Sequence, residues 1–457
     1  MTDLYGLVFQ TLLYPGWESG FRKRPTLEHL KRLERTQWCS PDELRALQSA
    51  ELRKLMEHAW AHVPLYRRRF EDAGLGPAHI RTVDDLAKLP LLTRDEASTS
   101  FEERKSTAKP LPEIRKMTSG STGYPLLFAY DRGSEYWRQA TKLRGYGWAG
   151  YRPGDKTLHF WGSIAAVQSP PFKAKAKSAL DHLFRREHYI DCSDHSEEAL
   201  SAVVAQIRAR SPTAIVCYAQ AGAALARHIV ETRSRDWKDI IVISAAERLF
   251  PTDREMMIEA FGPKVFETYG SREVMLIAAE CPAHEGMHVS EENLVVELVV
   301  REGDRERPAA PGELGEVVVT DLHNYGAPFI RYLTGDLAIE RPRERCACGR
   351  WLARLQTVEG RATDTLRDGS GRPIGGMFFI VLFSVLAHKV RGFQVIQRKD
   401  RSIDLKIVPG NEFDDSLLAM VKRNCEKAIP DVALRTEVVP EVPVGPTGKL
   451  RVVVVEN

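Results

Sequence analysis

The stretch Met117–Pro125, which reads MTSGSTGYP, alternates hydroxyl side chains with glycines and ends in a proline. Gly120 and Gly123 have no Cβ atom, so the backbone can turn tightly there and point several N–H groups into one concavity, which suits an anion. The hydroxyl donors available to phosphate oxygens are those of Ser119, Ser121 and Thr122. The spacing is not that of a Walker loop. The stretch therefore predicts either an anion-binding loop or a Ser/Gly-rich surface loop, and the residues downstream decide between them.

Length and charge limit the class of protein. A chain of 457 residues is too long for one ordinary hydrophobic core, so two or more domains are expected. The 65 basic and 62 acidic residues give a net charge of +3. Because the charges nearly balance, the chain as a whole has no strong positive potential that would favour nucleic-acid binding. The sequence has no apolar run near the ~18 residues of a membrane span, and its N-terminus lacks the basic segment of a signal peptide. Seven cysteines in such a chain indicate a reducing compartment, so we expect a cytoplasmic protein.

Residues 1–110 are predicted to be mostly helical. Ser40, Pro41 and Glu43 supply the N-cap, the first-turn proline and the third-position acid that begin a helix. From residue 111 to about 360, short apolar runs such as Ala214–Tyr218 alternate with amphipathic stretches such as Glu197–Arg210. This alternation predicts an α/β fold with a largely parallel sheet.

The last part of the chain changes character. Leu294–Arg301 and Gly315–Asp321 are predicted to be antiparallel strands joined by a loop that contains Pro308 and Pro311. The final ~95 residues combine strand, helix and strand patterns, which predicts a small α+β domain. We therefore expect the chain to divide into residues 1–360 and 361–457, with a hinge near Gly360.

Four further motifs follow the opening loop in a fixed order. They are Glu267–Glu273, Arg331–Asp336, Gly360–Asp364 and Pro443–Lys449. Together with the loop they resemble the adenylate-forming superfamily of acyl-CoA synthetases, luciferases and adenylation domains, and within it the phenylacetate–CoA ligase branch, which includes capsule-biosynthesis-type members. The resemblance covers essentially the whole chain. It implies a large, multi-layer N-terminal domain with mostly parallel sheets and a small, mobile α+β C-terminal domain.

The resemblance also implies an ATP site. The residues that would hold or surround the nucleotide are Thr118, Ser119, Gly120, Ser121, Thr122, Gly123, Ala246, Glu247, Tyr269, Gly270, Ser271, Asp336 and Arg361. Among them, Tyr269 would lie against the adenine and Asp336, assisted by Arg361, would accept hydrogen bonds from both ribose hydroxyls. Glu273 would hold Mg²⁺, and Lys449 would contact the carboxylate and the α-phosphate during adenylation.

The chemistry requires these residue types. When a carboxylate attacks an α-phosphate two anions meet, so cations must be placed where negative charge accumulates. Mg²⁺ prefers a hard oxygen ligand such as Glu273, and a carboxylate such as Asp336 can accept from two neighbouring hydroxyls. An ammonium such as Lys449 on a mobile domain can be withdrawn after the first step.

Three positions depart from the superfamily pattern. Leu126 stands after Pro125, where relatives often have a lysine that assists the phosphates. Thr363 stands where relatives usually have an acid, two residues after the hinge arginine. The segment 366–376 is glycine-rich but differs from the segment that lines the pantetheine tunnel of CoA ligases. Adenylation therefore rests on more of the pattern than transfer to CoA does.

A cysteine–histidine set forms a second signal. Cys281, Cys346 and Cys348 supply three thiols, and a Cys₃His set is common at structural zinc sites. The resemblance places the histidine at His288, with His284 as the rival ligand. The alternative is that these are ordinary reduced thiols.

The predicted function is that of an ATP- and Mg²⁺-dependent ligase that forms an acyl-adenylate and then an acyl-CoA thioester. Aromatic residues in His159–Ser163 and Tyr218–Gln220 fit an aryl or arylacetic acid, although core packing also accounts for Phe160 and Trp161. Alternatives are transfer of the acyl group to an amine, a sugar or a carrier protein, or a catalytically silent nucleotide-binding protein or scaffold. The expected partners are the acid, ATP and CoA, with no nucleic acid, and a homodimer is left open.

Overall fold

A computed structural model describes residues 3–108, 113–117, 126–161, 180–192, 196–302, 305–361, 366–367, 369, 373–374, 389–410, 412–428, 431–442 and 453–456. The chain forms two compact units. The first unit comprises residues 1–157, 179–187 and 266–358, and the second comprises residues 158–178, 188–265 and 359–457. The predicted domain division at residue 360 stays a prediction.

Helices dominate the first 100 residues. In chain order they are α1 (Leu4–Val8), α2 (Thr26–Thr36), α3 (Pro41–His62), α4 (Pro64–Asp72), α5 (Arg94–Thr99), α6 (Arg132–Trp148), α7 (Glu197–Arg210), α8 (Ala219–Glu231), α9 (Pro251–Phe261) and α10 (Asp415–Ala428). Phe9–Leu13 and Gly16–Phe21 are π-helical, Pro77–His79 and Val83–Lys88 are 3-10 helical, and residues 180–185 are helical. The predicted capping box of α3 is present: the Glu43 N–H donates to Ser40 Oγ, and the Ser40 N–H donates to Glu43 Oε2 at 2.7 Å.

Strands follow from residue 113 onward. They are β1 (Glu113–Met117), β2 (Leu127–Asp131), β3 (Thr157–Trp161), β4 (Glu187–Asp191), β5 (Ala214–Tyr218), β6 (Ile241–Ala245), β7 (Val265–Ser271), β8 (Met275–Glu280), β9 (Met287–Val289), β10 (Leu294–Glu302), β11 (Arg305–Pro308), β12 (Leu314–Asp321), β13 (Tyr332–Glu340), β14 (Arg354–Arg361), β15 (Leu366–Arg367), β16 (Pro373–Ile374), β17 (Val390–Gln397), β18 (Ile403–Pro409), β19 (Leu434–Val438) and β20 (Val453–Val455).

In the first unit, strands pair in the order β11–β10–β12–β13–β14–β9–β8–β7. The antiparallel pairing predicted for the segments now assigned to β10 and β12 is present, with Leu294 opposite Asp321. The segment predicted to be a plain loop between them contains a further strand, β11, which pairs with the end of β10. The loop prediction was wrong there because Pro308 can end an edge strand, where a missing N–H is tolerated.

In the second unit, strands pair in the order β6–β5–β3–β4. β5 and β6 are parallel, with Tyr218 opposite Ala245. Parallel strands are buried on both faces, which is why β5 reads as a nearly continuous apolar run. In the core of this unit, apolar residues of α7, α8 and α9 pack against those of β3, β5 and β6. Phe160, Ile207 and Leu225 belong to this core.

The C-terminal segment of the second unit has its own sheet, in the order β19–β18–β17–β20. β17 and β18 form the predicted hairpin, whereas β18–β19 and β17–β20 are parallel. Val395, Leu405 and Val421 belong to the core beneath α10. The predicted α/β fold with a smaller C-terminal α+β part is confirmed. Among the described ladders, those from β7 to β13 in the first unit are antiparallel, and the expected parallel pairing is present between β5 and β6. Across the part of the chain that the structure describes, no helix combines the length and the apolar character needed to cross a bilayer.

Candidate active site and metal centre

Tyr269 and Asp336 meet in the first unit. Tyr269 lies on β7 and Asp336 on β13, and the Tyr269 hydroxyl donates to Asp336 Oδ2 at 2.8 Å. Burial and the nearby Asp336 carboxylate raise the pKa of Tyr269 well above its ordinary value. The phenol is therefore a protonated donor that fixes one oxygen of the Asp336 carboxylate.

The strand is irregular directly after Tyr269, and the chain then turns at residues 272–274. The register between β7 and β8 shifts between Tyr269 and Gly270, which marks a β-bulge. A Cβ atom at Gly270 would lie 2.0 Å from the carbonyl oxygen of Met275, so only glycine fits this position. Ser271 Oγ accepts from the Val274 N–H at 3.4 Å and helps to close the turn.

Glu273 lies in this turn and is 6% exposed. Its Oε1 is 3.4 Å from the guanidinium of Arg94 and 3.3 Å from the hydroxyl of Tyr332. Arg94 is the first residue of α5, and Tyr332 is the first residue of β13. Sequence reasoning did not identify Arg94 or Tyr332 as part of the site. Tyr332 lies inside a motif that carried the resemblance, whereas nothing in the sequence indicates Arg94.

Arg272 connects this turn with the strand that precedes the Ser/Gly-rich stretch. Its guanidinium donates to the carbonyl oxygen of Met117 at 2.7 Å, and Met117 is paired with Leu127 at the end of the ladder where the chain passes from β1 to β2. Of the predicted nucleotide residues, Thr118, Ser119, Gly120, Ser121, Thr122 and Gly123 lie outside the described residues, as does Lys449. Arg361 is the last residue of β14.

Ala246 and Glu247 lie in the second unit, directly after β6. Ala246 has a φ of +68°, in the left-handed region that non-glycine residues seldom adopt. Glu247 Oε2 accepts from the backbone N–H of Gln220 at 3.1 Å, in the first turn of α8. A carboxylate there pairs with an N–H that the helix itself leaves unsatisfied, so Glu247 fixes the start of α8.

Two aromatic residues stand at the carboxyl ends of strands in the same unit. Trp161 ends β3 and Tyr218 ends β5, and their ring centres are 4.4 Å apart. Both are partly exposed, whereas Phe160 is fully buried in the core. Core packing accounts for Phe160, and Tyr218 also packs against this core with part of its surface. Trp161 and the exposed part of Tyr218 remain as candidate pocket walls.

Cys281, His288, Cys346 and Cys348 come together in the first unit. Their ligand atoms all lie within 4.8 Å of one another. The Cys281 and Cys346 sulfurs are 3.8 Å apart, and Cys348 Sγ is 3.3 Å from His288 Nε2. Thiolates bind Zn²⁺ at about 2.3 Å, which places two sulfurs of a tetrahedron about 3.8 Å apart, so this donor set fits a zinc ion.

The surroundings orient the histidine. His288 is fully buried, and its Nδ1 is 3.4 Å from the carbonyl oxygen of Leu352, which leaves Nε2 toward Cys348. Burial lowers the pKa of His288 to about 4 and raises that of Cys281 to about 12. A neutral imidazole whose second nitrogen is held by a carbonyl is the usual form of a metal-binding histidine.

His284, the rival ligand, is not part of this cluster. It is partly exposed, its Nδ1 lies 3.3 Å from Glu280 Oε2, and its ring packs against Phe266. The structure therefore favours His288 as the fourth member of the set.

Comparisons with known proteins agree with the motifs. No family model matches the chain. A phenylacetate–coenzyme A ligase of Thermus thermophilus is 25% identical over 404 residues, covering 83% of this chain and 82% of the relative. A phenylacetate–coenzyme A ligase of Escherichia coli is 27% identical over 348 residues, covering 73% of this chain and 75% of the relative.

The fold has a solved counterpart. The crystal structure of a 2-hydroxyisobutyryl-CoA ligase in the postadenylation state, with 2-HIB-AMP, matches with a TM-score of 0.73 at 19% identity. The match covers 92% of this chain and 90% of that one. The chain is thus a homologue of the phenylacetate–coenzyme A ligases with the fold of an adenylate-forming ligase, as its motifs predicted.

Proposed function

We propose that this chain is an AMP-forming acid–thiol ligase, which uses ATP and Mg²⁺ to convert a carboxylic acid first to an acyl-adenylate and then to an acyl-CoA thioester. The observation that carries the proposal is the bond from Tyr269 to Asp336, with buried Glu273 in the adjoining turn. Support comes from homology with phenylacetate–coenzyme A ligases over 73–83% of the chain.

The reaction has two steps. In the first, a carboxylate oxygen bonds to the α-phosphorus of ATP while the bond to the β-phosphate bridging oxygen breaks, which releases pyrophosphate. In the second, the CoA sulfur bonds to the acyl carbon, the thiol proton is lost and AMP leaves with the electron pair of the broken C–O bond. Each step concentrates negative charge, so the protein must supply donors and cations at fixed positions.

Asp336 is assigned to the ribose. Its carboxylate accepts the Tyr269 hydroxyl through Oδ2, and its backbone N–H donates to Thr334 Oγ1 at 3.2 Å. One bond holds the side chain and the other holds the backbone of the same residue, so the carboxylate is preorganised to accept from neighbouring hydroxyls. We assign Tyr269 to the adenine, against which its ring would lie, and Gly270 and Ser271 to the backbone beside it.

The remaining nucleotide contacts follow from the resemblance. The proposal assigns the phosphates to Thr118, Ser119, Gly120, Ser121, Thr122 and Gly123, the adenine edge to Ala246 and Glu247, the ribose also to Arg361, and the reacting carboxylate and α-phosphate to Lys449.

Glu273 is the proposed Mg²⁺ ligand. The fit rests on a hard carboxylate oxygen held at Oε1 by Arg94 and Tyr332, with a second oxygen available to an ion. When bound, Mg²⁺ supplies positive charge to the phosphates of ATP. Arg94 balances the charge of the buried carboxylate, because an isolated carboxylate is costly away from water.

We assign the acid to the aryl or arylacetic class. Trp161 and Tyr218 present partly exposed rings at the carboxyl ends of strands, where ligands of α/β proteins bind. The curated relatives are named for phenylacetate, an arylacetic acid.

Cys281, His288, Cys346 and Cys348 are proposed to bind a structural Zn²⁺. All four side chains are donors in a closed set, without the open position that a catalytic zinc keeps for water or substrate. The ion would join the segment after β8 to the Cys346–Cys348 turn. Reduced thiols and the need for ATP and CoA suit a cytoplasmic setting.

The proposal is tested by product analysis. Purified protein is incubated with ATP, Mg²⁺ and CoA and with single acids from aryl, arylacetic, hydroxy and fatty classes, and the products are identified by mass spectrometry. We expect an aryl or arylacetyl-CoA together with equal amounts of AMP and pyrophosphate. Hydroxamate formation with hydroxylamine, but no thioester with CoA, would replace CoA by another acceptor. The absence of acid-dependent AMP would overturn the ligase assignment.

A further inference from the structure

The N-terminal segment exposes an unusual amount of apolar surface. Residues 4–21 contain a single charged residue, Glu18, which is 3% exposed and paired with Arg24. Within the segment, Leu4 is 71%, Leu12 is 67% and Phe21 is 72% exposed. Large apolar side chains at this exposure, grouped together, mark a surface that contacts something other than water.

Three leucines of this segment face outward. Leu4 and Leu7 lie on α1 and Leu12 lies in the π-helical stretch that follows, and the side chains of all three are exposed. The inner side is defined by Phe9, which is 1% exposed and whose ring lies 5.1 Å from that of Phe184. The segment is therefore anchored to the first unit through Phe9, and it turns its leucines outward.

A neighbouring helical stretch enlarges this surface. Leu180 is 67% and Leu183 is 73% exposed, and both line a cavity of about 380 Å³ with Tyr5, Phe184 and Arg186. The hydroxyl of Tyr5 donates to the Phe184 carbonyl oxygen at 2.7 Å, which joins the two segments. We call the surface formed by Leu4, Leu7, Leu12, Phe21, Leu180 and Leu183 the N-terminal apolar surface.

Basic groups border the N-terminal apolar surface. The Arg22 guanidinium lies 5.5 Å from the Trp17 ring centre, and Trp17 stacks on Phe21 at 5.0 Å. Lys23 follows and is exposed. On the other side, the Arg186 guanidinium lies 5.0 Å from the Tyr5 ring centre and is paired with Asp3.

We propose that the N-terminal apolar surface docks the protein on an anionic membrane surface. The leucines and Phe21 would enter the boundary between headgroups and acyl chains, while Arg22 and Lys23 face the lipid phosphates. Apolar side chains with aromatic and basic residues at their border are the composition of segments that lie in a membrane interface. This attachment lies on the bilayer and needs no spanning helix.

Charge favours a lipid surface over a second copy of the chain. Among the described residues of this surface, Asp3, Glu18 and Asp181 are each paired with an arginine, so Arg22 and Lys23 remain as excess positive charge. A second copy would bring the same excess of positive charge to the interface and would not complement it. An anionic bilayer complements both residues, and its surface potential attracts each basic group that reaches it.

Flotation with lipid vesicles tests the proposal on the full-length chain. Vesicles rich in phosphatidylglycerol are compared with pure phosphatidylcholine vesicles at about 0.1 M and about 0.5 M salt. The variants are Leu7→Ser with Leu12→Ser, Leu180→Ser with Leu183→Ser, and Arg22→Glu with Lys23→Glu. The matched control is Val438→Ser, which removes an apolar side chain that is 47% exposed in the C-terminal sheet.

We expect the wild type and the control to float with the anionic vesicles, less so at high salt, and each double variant to partition on the order of tenfold more weakly. Circular dichroism and thermal melting verify that the variants fold. Absence of wild-type flotation with anionic vesicles overturns the proposal, and so does equal flotation of the double variants. A wild-type dimer that Leu7→Ser with Leu12→Ser converts to monomer, without vesicle binding, would assign the surface to a second copy instead.

Discussion

The hydroxyl of Tyr269 and Oδ2 of Asp336 are joined by a 2.8 Å hydrogen bond between β7 and β13, two strands that are not neighbours in the sheet. The bond therefore depends on the tertiary fold and not on a local turn. It fixes the carboxylate that the proposed function assigns to the ribose, so preorganisation of the nucleotide site rests on one phenol–carboxylate contact.

Removal of this hydroxyl should weaken ATP binding. A hydrogen bond to a charged group contributes about 1.5–3 kcal/mol, so we expect Tyr269→Phe to raise the KM for ATP about tenfold or more with a smaller change in kcat. Asp336→Asn should raise it further, because an amide oxygen replaces only part of a carboxylate. Steady-state kinetics at varied ATP measure both constants. Tyr5→Phe is the control, and an unchanged KM for ATP in both site variants contradicts the assignment of Asp336.

Arg94 should affect both stability and the metal requirement. Because Glu273 is buried and 3.4 Å from Arg94, Arg94→Gln should lower the free energy of unfolding by about 1–3 kcal/mol. The same change should alter the Mg²⁺ concentration that gives half-maximal activity, because Glu273 loses a group that orients it. Urea denaturation and Mg²⁺ titration provide the two readouts.

The control is Arg68→Gln, which breaks an exposed ion pair with Glu103 and should cost about 0.5 kcal/mol or less. If Arg94→Gln and Arg68→Gln behaved alike in both measurements, Arg94 would have no positioning role.

The cysteine–histidine cluster should bind metal with a defined stoichiometry. We expect the wild type to bind one zinc ion per chain. Cys348→Ser and His288→Ala should bind less zinc and melt at a lower temperature, because a structural ion contributes to folding. His284→Ala should retain the metal because His284 is bonded to Glu280. Elemental analysis and thermal melting measure these effects, and unchanged zinc content in Cys348→Ser would reject the site.

Gly270 should not tolerate a side chain. A Cβ atom there would lie 2.0 Å from the Met275 carbonyl oxygen, so we expect Gly270→Ala to destabilise the protein by about 1–3 kcal/mol and to reduce activity. Gly147→Ala is the control in α6, where an added Cβ meets nothing within 4 Å and should stabilise by about 0.5–1 kcal/mol. Denaturant unfolding measures the free energy of unfolding of both variants. Equal values for the two would show that the bulge at Gly270 accepts a Cβ atom.

The acid stability of the protein should depend on His323. Its ring stacks on Trp137 at 3.9 Å, Trp137 stacks on His29 at 4.2 Å, and Nε2 of His323 is 3.0 Å from the Glu292 carbonyl oxygen. Burial lowers the pKa of His323 from 6.5 to about 4. The folded state resists protonation of His323, so the contribution of neutral His323 to the free energy of unfolding is fully present above pH ~6.5. This contribution, up to about 3 kcal/mol, is lost as the pH falls toward 4.

His323→Gln should therefore show a flatter decline of unfolding free energy over this acid range, even if its stability at neutral pH is lower. Urea denaturation at a series of pH values measures the slope. A wild-type slope in His323→Gln would show that another group causes the acid sensitivity.

Local signals predicted local structure well. The capping box at Ser40 and the bounds of α7 and β5 agree with the sequence, because each depends on residues a few positions apart. β11 was missed because a four-residue edge strand with proline has a weak pattern of its own and is defined by its partner β10.

The candidate site also has a part that local motifs predict and a part that only the tertiary fold shows. Tyr269, Glu273 and Asp336 could be nominated because they belong to short motifs, whereas the contact between Arg94 and Glu273 joins residues 179 positions apart and leaves no local trace. The choice between His284 and His288 also needed the fold, because both histidines follow Cys281 within a few residues.

The most direct test of the account is acid-dependent pyrophosphate release, measured across the acid panel with and without CoA, for the wild type, Asp336→Asn and Lys449→Ala. The account predicts that the wild type releases pyrophosphate with an aryl or arylacetic acid, faster when CoA is present, and that both variants lose most of this release. A wild type that binds ATP but releases no pyrophosphate with any acid would contradict the account and favour a nucleotide-binding protein without ligase activity.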